Sequence, residues 1–212
     1  VEGQNLILEY RWAQGQVERL PDLAVELVRL KVDFIIVATT PSAFAARQAT
    51  STIPIVMVSG PVDPVGQGLV ASLARPGGNV TGLVLFPGLE IAGKYLEIFK
   101  EAVPRLSQVA VLWNPGNVGH SVLLREMGPA ARVLRLRLHP TEARAPDDFD
   151  SAFSAMTRVG ADGLVILADP NTFLHRKRLA DHAVKSRHPS MHTLTEFVEA
   201  GGLIANSPSF PE

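Results

Sequence analysis

Short apolar runs rich in β-branched residues alternate along this chain with stretches whose apolar positions recur at helical spacing. The runs predict strands at 5–11, 33–38, 54–58, 80–85, 109–113, 135–139, 163–168, 190–193 and 203–205. Most are apolar at every position, the pattern of parallel strands covered by helices on both faces. The intervening segments predict helices at about 17–31, 42–50, 65–74, 89–102, 118–134, 147–159, 172–187 and 195–200. In the first of these Leu20, Leu23, Ala24, Leu27, Val28 and Lys31 form one stripe that ends in a basic residue. Strand and helix alternate throughout, which predicts an α/β architecture built on doubly wound parallel sheets. One feature interrupts the series. Arg75-Pro-Gly-Gly-Asn79 separates a helical segment from Val80-Thr-Gly-Leu-Val-Leu85, and the βα pattern restarts after it. It reads either as a crossing between two lobes or as an ordinary loop within one sheet.

Three strand ends share a pattern. Phe34-Ile-Ile-Val-Ala-Thr-Thr-Pro-Ser42, Val109-Ala-Val-Leu-Trp-Asn-Pro-Gly-Asn117 and Leu164-Val-Ile-Leu-Ala-Asp-Pro-Asn-Thr172 each run from an apolar strand into small polar residues around a proline, then a helix. Proline suits the start of a helix, where its missing N–H costs nothing. The polar neighbours can cap that helix. Strand carboxyl ends are also where open α/β sheets bind ligands, so capping and binding both stand as readings. Ser59-Gly-Pro-Val-Asp63-Pro64 follows the strand at 54–58 in a similar place. Asp63 reads as the N-cap of a helix starting near Val65, or as a carboxylate facing a ligand's ammonium or hydroxyl.

Composition narrows the class. The chain has 212 residues, 46% hydrophobic and 19% charged, enough for one large domain or two small lobes with a real core. Lys+Arg 20 against Asp+Glu 21 leaves a net charge of −1 and no basic run, which argues against a nucleic-acid partner. No apolar stretch reaches the roughly 18 residues of a membrane span. Cysteine is absent, which excludes disulfides, thiolate metal sites and cysteine nucleophiles. The chain starts at Val1 without methionine and stops in the turn-like Ser207-Pro-Ser-Phe-Pro-Glu212, and both ends are read as incomplete.

No catalytic constellation emerges. Phosphate-loop, dinucleotide-loop, nucleophile-elbow and HExxH patterns are absent from the sequence. Four of the six histidines fall between 175 and 192. His175 and His182 would share a helix face about 10 Å apart, too far for one metal ion. They read as part of a solvated basic face, and no cofactor or metal is expected. His192 differs, because it ends a strand at the candidate ligand edge. With Asp169 it supports a second reading, an isomerase or hydrolase. A ligand-sensing module is a third.

Longer segments resemble one family. They are Gly3-Gln-Asn-Leu-Ile-Leu-Glu-Tyr-Arg-Trp-Ala13, Arg19-Leu-Pro-Asp-Leu-Ala-Val-Glu-Leu-Val28, Gln48-Ala-Thr-Ser-Thr-Ile-Pro-Ile-Val56, Glu196-Phe-Val-Glu-Ala-Gly-Gly-Leu203 and, above all, residues 63–83. Together they are similar to the substrate-binding proteins of ABC transporters, in the group with tryptophan- and tyrosine-binding members. The resemblance implies a type I periplasmic-binding-protein fold: two doubly wound lobes joined by hinge strands, with an amino acid or related ligand in the cleft. It implies lobe one at 1–80 with 207–212 returning to it, lobe two at 83–203, and crossings near 75–85 and 202–207. It further implies export to the periplasm, delivery to permease subunits, and no enzymatic activity. Family members begin with a signal peptide, a strand and a helix before the first residue here, and continue past residue 212, so both lobes are expected to be incomplete. The implied ligand contacts are Thr39, Thr40, Ser42, Ser59 and Asp63 from lobe one. From lobe two they are Asn114, Asn117, Asp169, Asn171, Thr193 and Glu196. Ser, Thr and Asn suit a carboxylate, and Asp63, Asp169 or Glu196 an ammonium. Phe86 and Trp113 are candidates to pack on an apolar side chain, with core packing the competing reading for Trp113.

Overall fold

The computed structural model describes residues 1–61, 63–84 and 88–207. The chain forms two compact units, one from residues 1–60 and 64–84, the other from 61–63 and 85 onward.

The first unit holds α1 (Leu20–Arg29), β1 (Ile35–Val37), α2 (Thr40–Ala49), β2 (Ile55–Gly60) and β3 (Val80–Val84). The strands pair in parallel in the order β1-β2-β3. Ile35, Val37, Ile55, Met57 and Val80 point to one face and join Ala43 and Ala46 of α2 in a small core. Ile36, Val58 and Leu83 are exposed. Asn79 ties the loop before β3 to the end of α2: its Nδ2 donates to Thr50 O (3.2 Å) and Ile53 O (2.8 Å).

The second unit is larger. It holds α3 (Ile91–Ala102), β4 (Gln108–Trp113), α4 (Val118–Val133), β5 (Arg137–Glu142), α5 (Phe149–Arg158), β6 (Gly163–Ile166), α6 (Pro170–Leu174), α7 (Arg176–Lys185), β7 (Ser190–His192), α8 (Glu196–Glu199) and β8 (Ile204–Ala205). Its five strands are all parallel, in the order β5-β4-β6-β7-β8. Side chains on alternate positions serve opposite cores. Val109, Val111 and Val165 pack with Tyr95, Leu96 and Phe99 of α3 and Leu123 and Met127 of α4. Ala110, Leu112, Leu164 and Ile166 pack with Phe149 and Phe153 of α5, Leu179 of α7 and Phe197 of α8. This two-sided burial explains why the strands read as unbroken apolar runs. The chain leaves β4 for β5 on one side, then returns to β6 on the other. The switch point therefore lies between the carboxyl ends of β4 and β6, where open α/β sheets bind ligands.

The expectations for four segments need correction. Residues 5–11 form no strand: a single bridge joins Glu2 to Leu6. A strand exists only through a partner's hydrogen bonds, and here Ile7 stays 84% exposed and Trp12 70% exposed. Tyr10 and Trp12 stack on each other, ring centroids 5.8 Å apart, and Arg11 reaches Glu26 of α1 at 2.8 Å. Residues 65–74 form turns rather than a helix. Gly66 and Gly68 weaken a helix, Gly68 adopts φ +75°, and the N–H groups of Leu69 and Val70 both turn back to Pro64 O. With no helix there, Asp63 is not its N-cap. The helix expected at 172–187 starts earlier and breaks at His175 into α6 and α7. Its histidines do not form a solvated face: His182 stacks on Phe153 and reaches Asp150 at 3.0 Å, and His175 meets Phe149 edge-on. The strand expected at 135–139 runs instead from Arg137 to Glu142, because Arg135 takes φ +56° in the turn before it. Leu85, Phe86 and the tail 208–212 lie outside the described residues.

Candidate functional site: the carboxyl edge of the second sheet

At the switch point the ends of β4 and β6 are joined by side chains. Asn114 follows β4 and Asp169 precedes α6, and both are buried. Asn114 Nδ2 donates to Asp169 Oδ2 at 2.6 Å. Asp169 Oδ1 caps α6 by accepting from Thr172 N (2.8 Å), while Asp169 N donates to Thr172 Oγ1 (2.8 Å). The carboxylate is 6% exposed and has no cation within ion-pair distance among the described residues. A carboxylate offers about four acceptor positions, and two are filled here. The remaining capacity sits in a largely dehydrated place, where a positive charge would be strongly attracted.

Asn114 is used up by its neighbours. Its backbone N–H donates to His120 Nδ1 (2.9 Å), its carbonyl accepts from Asn117 N (3.0 Å), and its Oδ1 accepts from Gly116 N (2.9 Å). Only the second hydrogen of its amide is uncommitted. Asn117 caps α4 through Oδ1 to Gly119 N (3.0 Å). Thr193, after β7, accepts from Ala168 N at 3.0 Å and so fastens the β6 end to its neighbour. Asn171 is 2% exposed, and its Nδ2 has no partner among the described residues. Glu196 is half-buried at the start of α8.

In the first unit, Thr39 and Ser42 cap α2 reciprocally: Thr39 Oγ1 accepts from Ser42 N (3.3 Å) and Ser42 Oγ from Thr39 N (3.0 Å). Thr40 follows at the first helical position, and Ser59 lies near the end of β2; all four are half-buried. Asp63 is half-buried and groups with the second unit. Capping therefore holds at each of the three repeated strand ends, through Thr39, Asn117 and Asp169. The copies are not equivalent, because of these three caps only Asp169 directly precedes its proline and meets a residue from another strand end. Trp113 packs against the core under α3 and α4. Phe86 lies outside the described residues.

Two histidines show what the local spacing missed. His120 is buried beneath the network, on the stripe His120, Leu123, Met127 and Ala131 that α4 turns to the core. A histidine on an otherwise apolar stripe was the available signal. His192 is wholly buried and not at an accessible edge. It lies against Phe197, ring centroids 4.9 Å apart, and pairs with Ser190 Oγ at 2.9 Å. Burial pushes its imidazole down to about 4. Among the described residues no group of three His, Asp or Glu could hold a metal ion, and no helix is long and apolar enough to cross a membrane.

Comparison with known proteins agrees with this architecture. Residues 1–208 match the family described as ABC transporter substrate binding protein, and the chain belongs to that family. It is a family of binding proteins, not of enzymes. The tyrosine-binding protein of Clostridioides difficile strain R20291 is 36% identical over 175 residues, 80% of this chain and 50% of that protein. The chain thus spans about half the length of that relative. A conserved domain protein of Vibrio cholerae is 31% identical and superposes with a TM-score of 0.85 over 95% of this chain and 66% of its own. A Streptococcus pneumonia ABC domain solved in complex with L-Trp shares the fold, with a TM-score of 0.85 at 22% identity, covering 97% and 69%. The fold is α/β with two parallel sheets, as in the substrate-binding proteins.

Proposed function

We propose that this chain is the extracytoplasmic, periplasmic solute receptor of an ABC importer, and that it captures an amino acid or closely related small molecule for the permease subunits. The observation that carries this reading is Asp169: a buried carboxylate at the switch point, hydrogen-bonded twice and without a cation among the described residues. It suits a ligand ammonium. Asn171 Nδ2 and the second hydrogen of Asn114 Nδ2 are donors for a ligand carboxylate or carbonyl, and Thr193 and Glu196 are proposed as further contacts. Thr39, Thr40, Ser42, Ser59 and Asp63 belong to the same proposal as ligand contacts, and Asn117 as the residue that holds the Asn114 loop. The tyrosine-binding relative supports an aromatic amino acid as the first candidate.

A thermal-shift screen of amino acids and aromatic acids tests the reading. A true ligand at 100 times its Kd adds about 2.7 kcal/mol of stability. A flat screen, confirmed by flat calorimetry, would remove the proposal.

A further inference from the structure

The imidazole of His120 joins three separate parts of the second unit. It sits on the first turn of α4, reaches the end of β4 through Asn114 N at 2.9 Å, and reaches the end of β6 through Ala168 O at 3.1 Å. Both contacts are backbone groups with fixed roles. An amide N–H can only donate, so Nδ1 accepts. A carbonyl can only accept, so Nε2 carries the proton and donates. The ring is therefore neutral and held in one tautomer. The same two residues it bonds, Asn114 and Ala168, stand at the base of the Asn114–Asp169 contact.

We infer that His120 is a positioning residue of the ligand site: its Nε2–H tautomer clamps the ends of β4 and β6 so that Asn114 stays on Asp169, and protonation of Nδ1 releases that clamp. This inference rests on the proposed function and adds a pH-linked release to the same site. A protonated Nδ1 cannot accept from Asn114 N, and two N–H groups would then face each other in a buried place. The charged group that faces the ring is Asp169, from the end of β6; Asn114 from β4 and Ala168 from β6 face it with neutral backbone groups. Burial keeps the imidazole below the usual histidine range, outweighing the opposite pull of Asp169 and the Ala168 carbonyl. Acidification thus acts against the native ring, and the first bond lost is the one that holds Asn114.

The test compares the parent chain with His120→Gln and His120→Leu. Glutamine supplies one acceptor and one donor without a titrating proton, whereas leucine supplies neither. L-tyrosine and L-tryptophan are the probes, titrated from about pH 7.5 down to about pH 4, which runs from above the ordinary histidine range to below it, where burial has moved the ring. The parent is expected to lose affinity on the acid side. His120→Gln is expected to bind like the parent at the upper pH and to lose the acid-side fall. His120→Leu is expected to bind about tenfold more weakly at every pH, the equivalent of about 1.4 kcal/mol. A glutamine variant with the parent's full pH profile would overturn the inference, as would a leucine variant that binds like the parent. If the parent binds neither probe, the aromatic amino-acid reading of the site fails, and nitrogen NMR of the ring decides this inference alone. An unprotonated Nδ1 at neutral pH, whose acid titration shifts the Asn114 amide signal, supports the clamp. A protonated Nδ1, or a titration that leaves Asn114 unmoved, sinks it.

Discussion

Asn114 and Asp169 stand 55 positions apart in sequence, and the amide of one donates to the carboxylate of the other at 2.6 Å. Every other polar group of the pair has a partner that fixes its orientation. Asn114 cannot flip its amide, because Oδ1 already accepts from Gly116 N. The contact is thus directional, and a swap of the two residues tests it. Asp169→Asn alone keeps the cap on Thr172 but sets two amide groups donor to donor. It should cost about 1–3 kcal/mol in urea unfolding. Adding Asn114→Asp restores donor facing acceptor while Gly116 keeps its acceptor. The double variant should regain most of the loss, a coupling of at least about 0.5 kcal/mol. Strict additivity of the two single variants would show that the contact is not formed.

His192 predicts an acid-side loss of stability. In the unfolded chain it binds a proton below its ordinary value of 6.5; in the folded chain burial lowers that to about 4. The unfolded state therefore holds more protons between these values, and stability falls as pH drops through that window. The full effect is about 3 kcal/mol, reached near pH 4 and absent above about pH 7. Urea unfolding across this range checks it. His192→Gln should flatten that part of the profile, and an unchanged profile would assign the loss to other groups.

Gly82 predicts a fold defect confined to the first unit. It sits in β3 with φ +135°, and a Cβ there would collide with the backbone of Met57 in the neighbouring strand. Neither relaxation is open to it, since the obstacle is main chain and the dihedral is one that side chains avoid. Gly82→Ala should destabilise by roughly 3 kcal/mol or more. Hydrogen exchange should show the loss in β1, β2 and β3. Protection equal to the parent's in those strands would contradict the close β2–β3 approach.

Asp162 fastens the start of β4 from the loop before β6. Its carboxylate accepts from Ser107 N (3.0 Å), Gln108 N (2.8 Å) and Ser107 Oγ (2.7 Å). Partial burial raises its carboxyl, but the hydrogen bonds from Ser107 and Gln108 outweigh this and hold it below the usual carboxylate range. Asp162→Ala should lower the free energy of urea unfolding by about 1–3 kcal/mol. The loss should shrink as the carboxyl protonates at acid pH, because the parent's own contribution then disappears. A variant equally stable at neutral pH would show that solvent replaces these bonds without cost.

The centre of the second unit's sheet was readable from the chain because β4, β6 and β7 are buried on both faces. Val109-Ala-Val-Leu-Trp113 cannot be mistaken for a solvent-facing segment. Residues 5–11 misled for the opposite reason: alternating apolar side chains show capacity to pair, while a strand needs a partner. Residues 65–74 misled because Leu69 and Val70 are buried as helical positions would be, although two glycines and Pro64 shape turns there. At the site, the polar residues around the three prolines were legible as caps. Their partners were not. Nothing in local spacing brings Asn114 to Asp169, since that meeting follows from the strand order β4-β6. For His120 the apolar stripe of α4 could have signalled a buried ring, but not its two backbone partners, which leave no mark in the residue pattern.

Isothermal titration calorimetry of the folded chain with L-tyrosine, L-tryptophan and their analogues lacking the amino group tests the central claim most directly. The account predicts binding of an amino acid, and at least tenfold weaker binding of the matching analogue, about 1.4 kcal/mol, because only the ammonium reaches Asp169. No heat with any of them, from a chain that unfolds cooperatively, would contradict the reading as a receptor for aromatic amino acids. Equal affinity with and without the amino group would contradict the place given to Asp169.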